Sequence, residues 1–157
     1  MEFKEYYIES KNGKSNCVVR SLCKILNKEY EEVFNELVNI AHELNCDSFN
    51  DIPVFEKYMS SYNINKIDGN EIQVKDLELN NGSYIILCYN KGDYYHMIPV
   101  IDNIIYDKSS ECLELYVINI YKKENWEVII AFHFFMLYFK ILIVIILYRI
   151  GLIKWKK

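Results

Sequence analysis

Residues 128–148 form a run of 21 residues interrupted by a charge or an imidazole only at His133 and Lys140. A helix needs about 20 mostly apolar residues to cross the hydrocarbon core of a bilayer. This stretch must therefore enter a membrane or find an equally apolar surface to cover it. Lys140 sits near its middle, where a charge opposes insertion by about 2.5–3.5 kcal/mol on insertion scales. The wealth of Ile, Val, Phe and Tyr also suits a buried helix or a pair of strands. Basic residues follow (Arg149, Lys154, Lys156 and Lys157), which by the positive-inside tendency would keep the C-terminus in the cytoplasm. The preceding part, without a leader, is expected there too. A hairpin or an interfacial helix meets both demands, whereas a simple span does not. A tail that packs on nothing is the remaining reading. The chain thus reads as a soluble domain over residues 1–125 and an apolar tail over residues 126–157, able to associate with a membrane through residues 128–148.

The 157 residues suffice for one domain. Hydrophobic residues make up 52%, with 14 Tyr and 8 Phe to fill a core, which excludes a disordered or collagen-like chain. A formal charge of −4 weighs against a broad electrostatic grip on nucleic acid, so none is expected. Residues 1–10 carry Glu2, Lys4, Glu5 and Glu9 and do not read as a secretory signal. Five Cys, an odd count without paired short spacings, predict free thiols in the reducing cytoplasm rather than disulfides or a zinc site. No cofactor is expected.

The spacing predicts a strand over residues 3–8, a loop over 11–15, and a first helix from Asn16 or Cys17 to Leu26 with Ser15 as its N-cap. Tyr30, Val33, Phe34, Leu37, Ala41 and Leu44 mark a second helix, with Glu29, Glu31 and Glu32 favourably placed at its start. A third starts near Pro53 and ends around Ser61. The period then changes. Strands are expected over 84–89, 95–101, 104–107 and 113–121, the middle two joined by the two-residue turn Asp102-Asn103. Helices followed by an antiparallel β-meander predict an α+β fold.

Cys17 follows a glycine-bearing loop at the mouth of a helix. Backbone N–H groups and the positive end of the dipole favour a thiolate there and can receive a developing oxyanion. The competing reading is a small buried apolar residue. His96 and Asp107 bear on that choice. If Asp102-Asn103 are the central turn residues, Ile101 faces Ile104 and Asp107 becomes a diagonal neighbour of His96 on one sheet face, about 7–8 Å away at Cα. A carboxylate there can hold one imidazole nitrogen and leave the other for a thiol. A one-residue slip would put them on opposite faces. A structural His–Asp pair is the alternative. His42 lies off its helix's apolar stripe and is expected in solvent, and His133 belongs to the tail. Cys23 falls in the body of the first helix. Cys46, Cys88 and Cys112 show no metal-like pairing, and the Lys11-Asn12-Gly13-Lys14 loop lacks the ending of a phosphate loop.

The order Cys at a helix start, His on a strand, Asp on the next strand resembles the papain-like cysteine peptidase superfamily, in particular its small bacterial and phage-encoded members. Ser15-Asn16-Cys17-Val18-Val19-Arg20-Ser21-Leu22 is similar to their nucleophile helix. Tyr95-His96-Met97-Ile98-Pro99-Val100 and Ile104-Ile105-Tyr106-Asp107 are similar to their His and Asp strands. The resemblance covers about residues 12–121 and implies Cys17 as nucleophile, His96 as general base and Asp107 as the orienting acid. It implies thiol-dependent hydrolysis of a peptide or amide bond in a peptide or protein substrate. The Gln that such enzymes often carry before the nucleophile has no counterpart here, which leaves Asn12 or Asn16 as side-chain donors to the oxyanion. The alternative is a catalytically inactive papain-like interaction module, tethered to a membrane by its tail.

Overall fold

The computed structural model describes residues 1–9, 16–69, 71–90, 94–124 and 126–149. The chain divides into two units, Met1–Lys123 and Glu124–Lys157. In the first, helices α1 (Cys17–Leu26), α2 (Tyr30–Leu44) and α3 (Ile52–Ser61) accompany strands β1 (Glu2–Glu5), β2 (Ile64–Asp68), β3 (Ser83–Tyr89), β4 (Tyr95–Ile101), β5 (Ile104–Asp107) and β6 (Tyr116–Lys123). The α+β class follows from this set.

Local chemistry explains the helix ends. Ser15 lies outside the described residues, and the N-cap of α1 is Asn16, whose side-chain oxygen accepts from the N–H of Val18 (2.8 Å) and Val19 (3.4 Å). The C-caps of α1 and α2 are Asn27 and Asn45, at φ 55° and 52°. In a chain with five Gly, Asn takes the left-handed cap position that Gly usually fills. Tyr30, Val33, Leu37 and Ala41 of α2 are buried, while Leu44, expected on the same stripe, is 38% exposed at the helix end.

The sheet order is β1-β5-β4-β3-β6-β2. It corrects the expected plain meander in three ways. β6 does not lie beside β5 but returns to pair with β3. β1 pairs parallel with β5, so the sheet is mixed. β2, absent from the sequence reading, adds an antiparallel edge beside β6. The physical reason is burial on both faces of β3. Ile85 and Leu87 face the cluster formed with α1, α2 and α3, and Tyr84, Ile86 and Cys88 face a second cluster with Val74, Leu77 and Cys112. A strand covered on both sides needs a neighbour along each edge, and β6 supplies the second one. It begins at Tyr116 rather than 113 because Ser110–Glu114 turn as a 3-10 helix.

The register of β3 on β6 shifts between Leu87 and Cys88, a bulge at Ile118. Gly69 lies against it: a Cβ there would stand 1.7 Å from the Ile118 carbonyl oxygen. Gly69→Ala is therefore expected to lower stability by about 1–3 kcal/mol, read as a drop in the thermal unfolding midpoint. An unchanged midpoint would show that the bulge yields freely.

The second unit carries α4 (Trp126–Arg149), 24 residues in one continuous helix. This corrects the strand-pair reading. The window Ile130–Leu147 has a mean hydropathy of 2.5 and none of it is buried within the chain. Its length and composition are those of a membrane-crossing helix. Apart from His133 and Lys140, apolar residues occupy all its faces, so it lacks the polar face an interfacial helix requires.

Candidate active site

Two local rules place Cys17 and Asp107. Asn16 caps α1, so Cys17 is its first residue. The Asn16 carbonyl accepts from the Arg20 N–H (2.9 Å) and its side chain takes those of Val18 and Val19. Among the described residues, no acceptor takes the N–H of Cys17 itself. On the sheet, Asp102 and Asn103 have φ 49° and 64°. Two left-handed residues in succession make a tight hairpin turn, and Ile101 pairs with Ile104, Val100 with Ile105. That register brings Asp107 and His96 together.

His96 Nε2 donates to Asp107 Oδ2 at 2.5 Å. The bond leaves Nδ1 as the ring nitrogen available to the thiol; Cys17 and His96 line one cavity, close enough for each to shift the other's ionisation. Helix and strand are clamped one turn further on, where Ser21 Oγ donates to the Met97 carbonyl (2.8 Å). The second oxygen of Asp107, Oδ1, accepts from Arg20 Nη2 (2.5 Å) and from the Lys108 N–H (2.7 Å).

Burial opposes ionisation at all three positions, yet each is shifted towards its charged form. For Asp107, burial pushes the carboxyl up, but the hydrogen bond and charge of His96, the Lys108 amide and Arg20 hold it below its usual value. For His96, burial works downwards and is outweighed by Asp107 and then Cys17, which raise it to about 9. For Cys17, burial works upwards and is outweighed by His96, the Met97 backbone amide and Arg20, so the thiol becomes more acidic. Burial pushes the Cys23 and Cys112 thiols up to about 12, and Cys88 upwards as well. The arrangement thus favours a thiolate–imidazolium pair at Cys17 and His96.

The thiol opens on a cavity of about 280 Å³ lined by Asn16, Asn50, Phe55, Tyr94 and His96 among others. A larger, open depression of about 560 Å³ lies on the far side of the imidazole, against Arg20, Asp107, Lys108 and Glu111. His96 borders both. Asn16 is next to the thiol, with its side-chain oxygen committed to the cap and its amide nitrogen as the donor that remains. Asn12 lies outside the described residues. His42 is exposed on α2, and His133 lies on α4. Among the described residues, no three His, Cys, Asp or Glu side chains gather as a metal site would require. Two neighbours of the triad were missed from sequence. Asn50 precedes α3 and carries no local signal. Arg20 was legible in principle, since i and i+3 share a helix face and Cys17 was already assigned to the helix start.

No protein-family model matches the chain, and neither does any curated protein or solved structure.

His96 is expected to titrate near 9 when followed by NMR, against about 6.5 for a free imidazole. Asp107→Asn removes its largest upward influence and should bring the midpoint down. A midpoint that ignores this substitution would separate the pair.

Proposed function

We propose that the chain is a thiol-dependent hydrolase of papain-like type, a peptidase or amidase acting through Cys17, His96 and Asp107. The observation that carries this reading is the directed contact series: Asp107 holds one nitrogen of His96, and the other serves a thiol whose acidity is raised against its burial. A buried thiol without such a partner stays protonated.

In the reaction, the Sγ proton already rests on His96 Nδ1 and the thiolate attacks the substrate carbonyl carbon. The oxyanion is received at the Cys17 N–H, with Asn16 or Asn12 as the side-chain donor. Collapse breaks the C–N bond, and His96 returns the proton to the leaving amine. Water, deprotonated by His96, then attacks the thioester to release the acid and restore the thiol. Asp107 orients the ring and stabilises the imidazolium throughout.

A tagged thiol-directed electrophile and a fluorogenic peptide or amide library test this. Cys17→Ala should abolish labelling and turnover, and His96→Ala should lower turnover by about 10²–10⁴-fold. Cys23→Ala should leave labelling intact. Equal labelling of the two cysteine variants would refute the assignment.

The same protein is proposed to be membrane-attached through residues 128–148; with its thiol domain in the reducing cytoplasm, a single span would carry Arg149, Lys154, Lys156 and Lys157 to the far side, against the positive-inside tendency. Support comes from α4, which is long enough at about 1.5 Å per residue to cross the roughly 30 Å hydrocarbon layer and is unburied over Ile130–Leu147. The full chain should sediment with membranes, resist alkaline extraction and dissolve in detergent, while a chain ending at Asn125 stays in the supernatant. A freely soluble full chain would exclude the attachment.

A further inference from the structure

We propose that Arg20 is a positioning residue of this site, fastening Asp107 to the helix that carries Cys17 so that the imidazole is held at the thiol. The inference rests on the Cys17–His96–Asp107 reading. Arg20 is 4% exposed and Asp107 2%. Their contact at 2.5 Å is buried and spans 87 positions of the chain. The carboxylate divides its oxygens, Oδ1 to Arg20 and the Lys108 N–H, Oδ2 to His96. Its plane is thereby set from both sides, and with it the direction of the ring.

The contacts close on themselves. Cys17 meets His96, His96 meets Asp107, Asp107 meets Arg20, and Arg20 lies three residues from Cys17 on the same helix face. A displacement of β5 or β4 relative to α1 must break one of these bonds. The device keeps nucleophile and base in register without a shared loop. In its charged state the set alternates in sign: Arg20 positive, Asp107 negative, His96 positive, Cys17 negative. Deleting Arg20 would leave a net negative charge in a buried place, which disfavours the thiolate. The guanidinium contributes in that sense at both Asp107 and Cys17.

Other titratable groups face the set from each neighbouring element. Burial pushes up Tyr6 beyond β1 and Cys112 of the 3-10 turn, each to about 12, and also Tyr30 of α2 and Cys88 of β3. They stay uncharged near neutrality. Lys108, Glu111 and Glu114 line the open depression beside Asp107.

The test is alkylation of Cys17 by iodoacetamide in the detergent-solubilised full chain, followed by mass spectrometry of its peptide between about pH 5 and 9. In Arg20→Met the rise in rate should move up by about one pH unit, slowing alkylation about tenfold on its acid side. Arg20→Lys, which keeps the charge, should recover most of the shift. Arg20→Met combined with Asp107→Asn leaves no unpaired buried charge and keeps the test valid should the single variant fold poorly. If Arg20 acts through Asp107, the double variant's effect falls well short of the product of the single effects. An Arg20→Met profile superimposed on the native one, or effects that multiply, overturns the inference while leaving the triad intact. A native Cys17 that titrates like a free thiol overturns both.

Discussion

A carboxylate removed from water must find compensation on every side, and Asp107 organises this domain around that demand. Its ionised form is tolerable only because Arg20, His96 and the Lys108 amide all point at it. Those partners come from α1, from β4 and from the residue that follows β5, segments that local sequence alone would leave free to pack in several ways. Moving any of them would strand a buried charge. The polar cluster therefore specifies the relative placement of helix and sheet, while the apolar clusters on either face provide the bulk of the burial.

The same constraint explains why an acidified thiol can exist in a half-closed place. Burial by itself would keep Cys17 protonated, as it does Cys23 and Cys88. The difference lies in neighbours: an imidazole held by a carboxylate on one side and a backbone amide of β4 on the other. Helix-mouth geometry adds the N–H groups that favour negative charge. Three cysteines in one small domain are thus given opposite acidities by their surroundings.

Much of this was legible in local signals. The apolar stripes of α1, α2 and α3 gave their limits to within a residue or two, since they depend on neighbours a few positions away, whereas the N-cap of α1 is Asn16 and not the expected Ser15. The hairpin turn Asp102-Asn103 was enough to place Asp107 beside His96, because a two-residue turn leaves one register. The sheet order was not legible. β6 beside β3, the parallel pairing of β1 and the short edge β2 each depend on strands distant in sequence, and INKID of β2 carries no alternation to announce it. Arg20 escaped notice because an arginine in an amphipathic helix ordinarily reads as solvated.

By itself the amino-acid order determined the helices, the hairpin, the free run of apolar residues over α4, and the candidacy of one cysteine, one histidine and one aspartate. Only the tertiary structure decided which strands are neighbours, that the tail is one continuous helix, and that a buried arginine joins the helix of Cys17 to the strand of Asp107. The physical reason is range. Caps, turns and periodicity act over a few residues, whereas strand order and buried ion pairs are settled by what the rest of the chain leaves uncovered and uncompensated.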